Sequence, residues 1–350
     1  MSRDGRGESS APRQLDACAN GTCAVDVHTH FIPARYRQMV SDAGITHPDG
    51  FHGGMPPWSV ESHLEHMELL GIARTVVSLS APGVYLGEVG RDGVGVARSV
   101  NEDGARLCQE HAGRFGFYAA IPVLNVDAAL AEIDYAFDEL GAWGASLFTN
   151  CAGVYVSAPQ ILPVLEALAQ REAPLLLHPT SPSVTVPGVM EGWSRSMYEY
   201  IFDTTRTVID LICSAAWKRL AGLRLIVAHG GAALPALAMR VERNIQRVNA
   251  QKGDDERALP SLVQAMQESM YFDLAGAVVP YQLPSLKATV STDRMLYGSD
   301  FPFTGSAPGK ELNESLRRTD LLDGVEKHQI MHENAVGLFG KHLASEPMSS

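Results

Sequence analysis

Short, continuous apolar runs alternate along the chain with longer stretches in which apolar residues recur every three or four positions. The short runs predict strands at Ala24–His30, Thr75–Ser80, Phe115–Ile121, Gly144–Phe148, Leu175–His178, Arg224–His229, Met270–Leu274 and Met295–Asp300. Most are apolar throughout rather than on alternate residues, which suits parallel strands covered on both faces. Helical periodicity marks Ser62–Leu70 through Leu64, Met67 and Leu70. It also marks Asp127–Leu140, where Gly141 offers a C-terminal stop, and Pro159–Gln170 and Pro235–Val248, which open with proline in the first turn. Repeated strand–helix units predict an α/β fold, and eight of them favour a closed (β/α)8 TIM barrel over an open doubly wound sheet. No Gly-x-Gly-x-x-Gly follows the first strand, which also argues against a dinucleotide-binding sheet.

A barrel with insertions accommodates 350 residues in one domain. Residues 1–22, rich in Ser, Gly and Arg and without apolar periodicity, are expected to be a disordered tail. The barrel is expected over 23–344, with a short flexible tail over 345–350. The 45% hydrophobic content supplies a large core, and the formal net charge of −12, with no basic run, disfavours nucleic acid or an anionic membrane as a partner. There is no apolar signal core at the N-terminus and no run long enough to span a membrane, so a cytoplasmic location is expected. The five cysteines form no disulfide framework, and Cys18 and Cys23 have no second pair to complete a zinc ribbon. Reduced thiols are the simpler reading.

Active sites of parallel barrels lie at the C-terminal ends of the strands. The first predicted strand ends in Asp26-Val27-His28-Thr29-His30, the fifth in His178, the sixth in His229-Gly230-Gly231 and the eighth in Gly298-Ser299-Asp300. Side chains two apart on a strand share a face and lie roughly 6.6 Å apart along it. His28 and His30 can therefore grip one ion, with His178 and Asp300 reaching it from across the barrel. Three imidazoles and one carboxylate, with room left for a further ligand, make a catalytic rather than a structural metal site. Zinc suits this donor set, and manganese fits as well because a carboxylate is present. One His-x-His alone is weak evidence; four strand ends carrying metal-binding or acid–base residues in barrel order are much stronger. Asn150, with Tyr85, Tyr155 and Trp193, lies in a post-strand loop and is a candidate pocket residue. The glycine- and proline-rich loop from 46 to 58 reads either as a lid over the mouth or as an ordinary structured connection.

Together Asp-x-His-x-His, His178-Pro179, His229-Gly230-Gly231 and Gly298-Ser299-Asp300-Phe301-Pro302 resemble the amidohydrolase superfamily, and more narrowly its metal-dependent decarboxylase branch. Phe202-Asp203-Thr204-Thr205-Arg206 and His178-Pro179-Thr180-Ser181-Pro182 also look like segments of that branch. The resemblance runs over roughly 24–340. It implies that His28, His30, His178 and Asp300 are the metal ligands and that His229 is an unligated catalytic histidine. It implies that Arg240 holds a substrate carboxylate in a neighbouring subunit's site, so that the working unit is a homodimer. Phe303 matches a substrate-packing aromatic, and His63 stands where some relatives carry a substrate-binding arginine. This departure favours a substrate with one carboxylate. Strand four has no lysine, whereas many hydrolytic members place a metal-bridging carboxylated lysine there, so a single metal is expected.

The activity that follows from the resemblance is non-oxidative decarboxylation of a small hydroxyaryl acid of the 6-methylsalicylate kind. It would use one divalent metal and no organic cofactor, with the proton delivered by Asp300 or His229. The alternative is a metal-dependent lactonase or amidase acting through activated water.

Overall fold

The computed structural model describes residues 23–343, apart from 52, 88–92, 215 and 253–257. The expected tails at 1–22 and 345–350, and Cys18, lie outside the described residues. In chain order the main elements are β1 (Ala24–His30), α1 (Ala34–Asp42), α2 (Val60–Leu70), β2 (Ile72–Ser78), α3 (Val94–Glu110), β3 (Phe115–Ala120), α4 (Val126–Asp134) and β4 (Gly144–Phe148). They continue with α5 (Leu162–Gln170), β5 (Pro174–His178), α6 (Glu199–Cys213), β6 (Arg224–Val227), α7 (Leu234–Lys252), α8 (Leu262–Glu268), β7 (Met270–Asp273) and α9 (Gln282–Lys287). Last come β8 (Met295–Leu296), α10 (Ser306–Arg318), α11 (Gly324–His328) and α12 (Asn334–Leu343). The eight strands form one sheet in chain order, and every adjacent pair is parallel. The eighth closes on the first through Val27 N to Tyr297 O (3.0 Å), Asp300 N to His28 O (2.8 Å) and His30 N to Phe301 O (2.7 Å). This is the (β/α)8 barrel expected from the repeated units.

Two apolar cores hold it. One fills the layer between strands and helices, with Phe31, Tyr36, Phe117, Ile133 and Leu165 fully buried. The other fills the barrel itself, where Val25, Val27, Val76, Tyr118, Leu176, Ile226 and Leu296 meet Leu338 and Phe339 of α12. Helix α12 thus seals one end of the barrel, and Arg74 donates to its Leu343 carbonyl at 2.8 Å. The opposite end is left for chemistry.

The boundaries differ from the sequence pattern where the backbone departs from regular geometry. The last strand is two residues long, because Asp300 sits at φ +58 and the chain bends around it. The sixth stops at Val227, and Ala228–Gly231 forms a tight turn with His229 at φ +58. The proline that opens α5 is Pro163, not Pro159. Helix α4 widens into a π turn at Tyr135–Glu139 before the Gly141 stop.

Candidate metal centre

The β1 ladder slips register between Asp26 and Thr29. A bulge of this kind re-aims side chains at a barrel rim. Below it Val25 and Val27 belong to the inner core; above it His28 and His30 face the mouth, their rings 5.1 Å apart. His178, at the end of β5, brings its ring within 5.2 Å of His28 and 4.7 Å of His30. The Asp300 carboxylate lies 3.2 Å from His30 Nε2 and 3.7 Å from His28 Nε2. One donor atom from each of these four residues falls within 4.8 Å of all the others.

Each histidine is anchored through its other nitrogen. His178 Nδ1 donates to the Pro179 carbonyl at 2.7 Å. The Ser78 hydroxyl donates to Thr29 O, so it accepts from His30 Nδ1 at 3.0 Å. His28 Nδ1 lies 3.0 Å from Asp273 Oδ2. These contacts fix the tautomers with Nε2 turned toward a common point, as in metal-ligating histidines. Nε2 of His28 and of His30 is buried and has no hydrogen-bond partner. An unpaired buried polar atom is costly, and a cation among these atoms removes the cost. The donor set of three imidazoles and one carboxylate fits one divalent metal.

The electrostatics favour the same occupant. Burial keeps His178 well below the ordinary imidazole value, and lowers His30 too. Both therefore present lone pairs. Burial also opposes charge on His28, yet the adjacent Asp273 carboxylate, helped by Asp300 and Asp26, pushes it up to about 9. Burial works to raise Asp300, but His229, His30 and the charge of His28 hold it well below the usual carboxylate range. Asp26 hydrogen-bonds the amides of His28 and Ser299 and is pushed up by burial to about 7. The site is built to hold positive charge.

His229 stands beside this group without joining it. Its Nε2 is 3.9 Å from Asp300 Oδ2, and its ring centre is 5.0 Å from that of His28. Its amide donates to Asp273 Oδ1, and Gln282 Nε2 donates to its carbonyl at 2.6 Å. Positive φ at this non-glycine residue is held by these contacts, and such strain gathers at functional sites. The cavity above, about 270 Å3, is lined by His178, His229, Asp300, Phe51, Tyr200 and Phe303 among others. Phe303 meets His30 edge-on at 5.4 Å and Phe51 at 5.8 Å.

The other candidates lie elsewhere. His63 is fully buried outside this cavity, accepting from Trp58 Nε1 at 3.1 Å and packing on Phe115 and Phe301. Asn150 donates to Asp203 and to the Ser181 carbonyl and lines a neighbouring cavity. Tyr85 borders that cavity too, Tyr155 donates to Asp203, and Trp193 is 59% exposed. Arg240 is exposed on α7, along a shallow apolar groove with Ile209 and Val241. In the connection after β1, Pro48, Asp49 and Phe51 line the mouth, and Asp49 Oδ2 accepts from Thr180 Oγ1, Ser181 N and Tyr200 OH. Asp273, Ser78 and the Pro179 carbonyl did not stand out in the sequence. The one available signal was a carboxylate near the end of the otherwise apolar seventh strand.

Comparison with known proteins places this geometry in a group. The family model described as Amidohydrolase matches residues 25–341. The chain is 31% identical over 334 residues to the 6-methylsalicylic acid decarboxylase acuB of Aspergillus aculeatus, covering 92% of this chain and 97% of that protein. A crystal structure described as an amidohydrolase II superposes with a TM-score of 0.83 at 29% identity, over 91% of this chain and 99% of the other. A dihydroxybenzoic acid decarboxylase from Polaromonas sp. JS666, with bound manganese and the inhibitor 2-nitroresorcinol, shares the fold with a TM-score of 0.74 at 20% identity, over 91% and 97%.

Proposed function

The chain belongs to the amidohydrolase family, and on that premise we propose that it is a carboxy-lyase releasing carbon dioxide, without redox chemistry, from a small hydroxyaryl carboxylic acid of the 6-methylsalicylate type. The observation that carries this reading is the convergence of His28, His30, His178 and Asp300 beside an unligated His229, in a chain so similar to a 6-methylsalicylic acid decarboxylase. The family supplies hydrolases as well, but relatives that match almost end to end are named decarboxylases, so the lactonase or amidase alternative is not favoured.

The obstacle in this reaction is the electron pair left on the ring carbon. The carbon must take up a proton before the carboxylate leaves, and an ortho hydroxyl feeds the ring the density that makes this feasible. His28, His30, His178 and Asp300 would hold one divalent ion, zinc first and manganese second on donor type. When bound, such an ion would supply Lewis-acid charge for an anionic substrate. No organic cofactor is called for. The His229 imidazole, outside the four-residue cluster and carried on a backbone held by Asp273 and Gln282, is the group placed to hold the proton for the ring carbon. Asp300 is engaged with His30 and is the lesser candidate. Phe303 and Phe51 pack against the ring and keep water from the reacting carbon.

Arg240 lies outside its own cavity, and we assign it to the carboxylate in a partner subunit's site. On that assignment the working unit is a homodimer. His63 and Asn150 act through other residues, His63 by packing under Phe301 and Asn150 by tying Ser181 to Asp203. No helix among the described residues is long and apolar enough to cross a membrane; with the cysteine usage, this supports the cytoplasmic reading.

The test incubates metal-loaded protein with salicylate, 2,6-dihydroxybenzoate and 6-methylsalicylate and quantifies carbon dioxide and the phenol formed. Equimolar release of both from at least one acid is expected. Hydrolysis of aryl lactones with no carbon dioxide from any acid would replace this reading with the hydrolytic one.

A further inference from the structure

A second cavity of about 300 Å3 opens on the same barrel face. The metal cavity gathers residues following β1, β5, β6, β7 and β8 with Ser80 and Ala81 after β2, whereas this one is bordered by the ends of β2, β3 and β4 and by Thr180–Ser183 after β5. Only a thin partition separates them. Asp49 lines both. Ser80 and Ala81 face the metal cavity while Leu79 and Pro82 on either side of them face the second. Phe148, on the second cavity's wall, meets the ligand His178 edge-on at 5.8 Å. Its place is reserved by Gly83, where a Cβ would come within 2.7 Å of the Phe148 ring.

The lining is mostly apolar, with Leu79, Val84, Ile121 and Leu147 buried around it. Polar residues interrupt that lining, among them Asp49, Asn150, Thr180, Ser146 and Ser181, and the hydroxyls of Ser146 and Ser181 are buried with no hydrogen-bond partner. Apolar walls with a few unsatisfied polar groups are the usual make-up of a ligand site, and such sites run roughly 300–1,000 Å3. The metal cavity alone, at about 270 Å3, falls just below that range.

We propose that the second cavity is a subsite for a substituent on the substrate ring. It would select hydroxyaryl acids that carry an alkyl chain or a second ring, with one hydrogen-bonding group within reach of Ser146 or Ser181. The inference rests on the decarboxylase reading for what occupies the metal cavity, but its occupancy is measurable without turnover.

The experiment measures binding of 3-methylphenol and 3-pentylphenol, the decarboxylation products of the two corresponding 6-alkylsalicylates, to the metal-loaded holoenzyme by calorimetry. The pentyl compound is expected to bind at least tenfold more tightly. Ile121→Trp fills the cavity from its wall, and Ser183→Trp fills it from an exposed loop, so the second serves if the first does not fold. Either variant is expected to bring the ratio of the two dissociation constants near one. Equal binding of the phenols by the unaltered enzyme, or a preference that survives the folded variants, overturns the subsite. Turnover of 6-methyl- and 6-pentylsalicylate is scored separately. Absence of carbon dioxide from both acids sinks the decarboxylase reading, whereas a phenol preference abolished by the variants still upholds the subsite.

Discussion

Asp273→Asn changes one atom in the support of the metal centre. Asp273 is fully buried at the end of β7. Its Oδ1 accepts from the amides of His229 and Ala275, at 3.2 and 3.1 Å, while Oδ2 faces His28 Nδ1 at 3.0 Å. An asparagine keeps its oxygen toward the two amides, so its NH2 confronts His28 Nδ1, the nitrogen that faces the carboxylate. His28 must then move its proton to Nε2, the atom needed by the metal. Full opposite charges 3 Å apart at an effective dielectric near 20 attract by roughly 5 kcal/mol. Desolvation of the buried carboxylate offsets most of that. The net loss expected is that of a removed second-layer partner with a blocked tautomer, at the upper part of about 10–100-fold in metal affinity, or about 1.4–2.7 kcal/mol. Competition against a chelating dye reads the dissociation constant, and the melting temperature of the metal-free protein checks that the fold is intact. An asparagine variant that is folded and binds metal within twofold of the parent refutes the reasoning.

Removing the imidazole with His229→Ala is expected to cut kcat by roughly 10²–10⁴-fold while one ion per chain stays bound; Asp300→Asn is expected to lose the ion, and metal analysis of both separates the roles. Burial pushes His63 down to about 3 and His66 down to about 4, so both stay neutral in the folded chain while the unfolded chain takes up protons below about 6.5. Stability is therefore lost as pH falls through 6.5 toward 4, by roughly 2 kcal/mol per histidine at pH 5. Urea unfolding of His63→Phe at pH 8 and pH 5 is expected to show a smaller acid loss than the parent, and an equal loss contradicts the assignment. If Arg240 serves a neighbouring site, mixing Arg240→Ala with His229→Ala subunits restores about a quarter of parental activity, the share of intact sites left by random pairing. No restoration after exchange confines each site to one subunit.

The four residues that converge at the mouth were legible in the sequence because each lies at the end of an apolar run, and a parallel barrel gathers such ends at one rim. Their supports were not. Asp273, Ser78 and the Pro179 carbonyl act on His28, His30 and His178 from a different strand, a neighbouring strand and the following residue, and nothing local marks them as partners. Two of the missed helices, α3 and α6, share a cause. In α3 the inward face carries Asn101, bonded to the Ala120 backbone and Glu132, and Gly104, where a Cβ would come within 2.9 Å of Phe117. In α6 the buried face carries Asp203, Thr204, Thr205 and Thr207, and Asp203 accepts from Thr149, Asn150, Tyr155 and Arg206. Polar residues turned inward conceal the apolar stripe by which a helix is read. The eighth strand reads longer than it is because Gly298 makes close backbone passage beside His28, where a Cβ would lie 2.8 Å from the His28 Cβ, and Asp300 then turns out at positive φ.

X-ray absorption at the metal edge of purified, metal-loaded protein addresses the centre most directly. One ion per chain in a shell of three imidazole nitrogens and a carboxylate oxygen is expected, falling to two imidazoles or to no bound ion in His178→Ala. Two ions per chain, a sulfur-containing shell, or a spectrum unchanged by His178→Ala would contradict it.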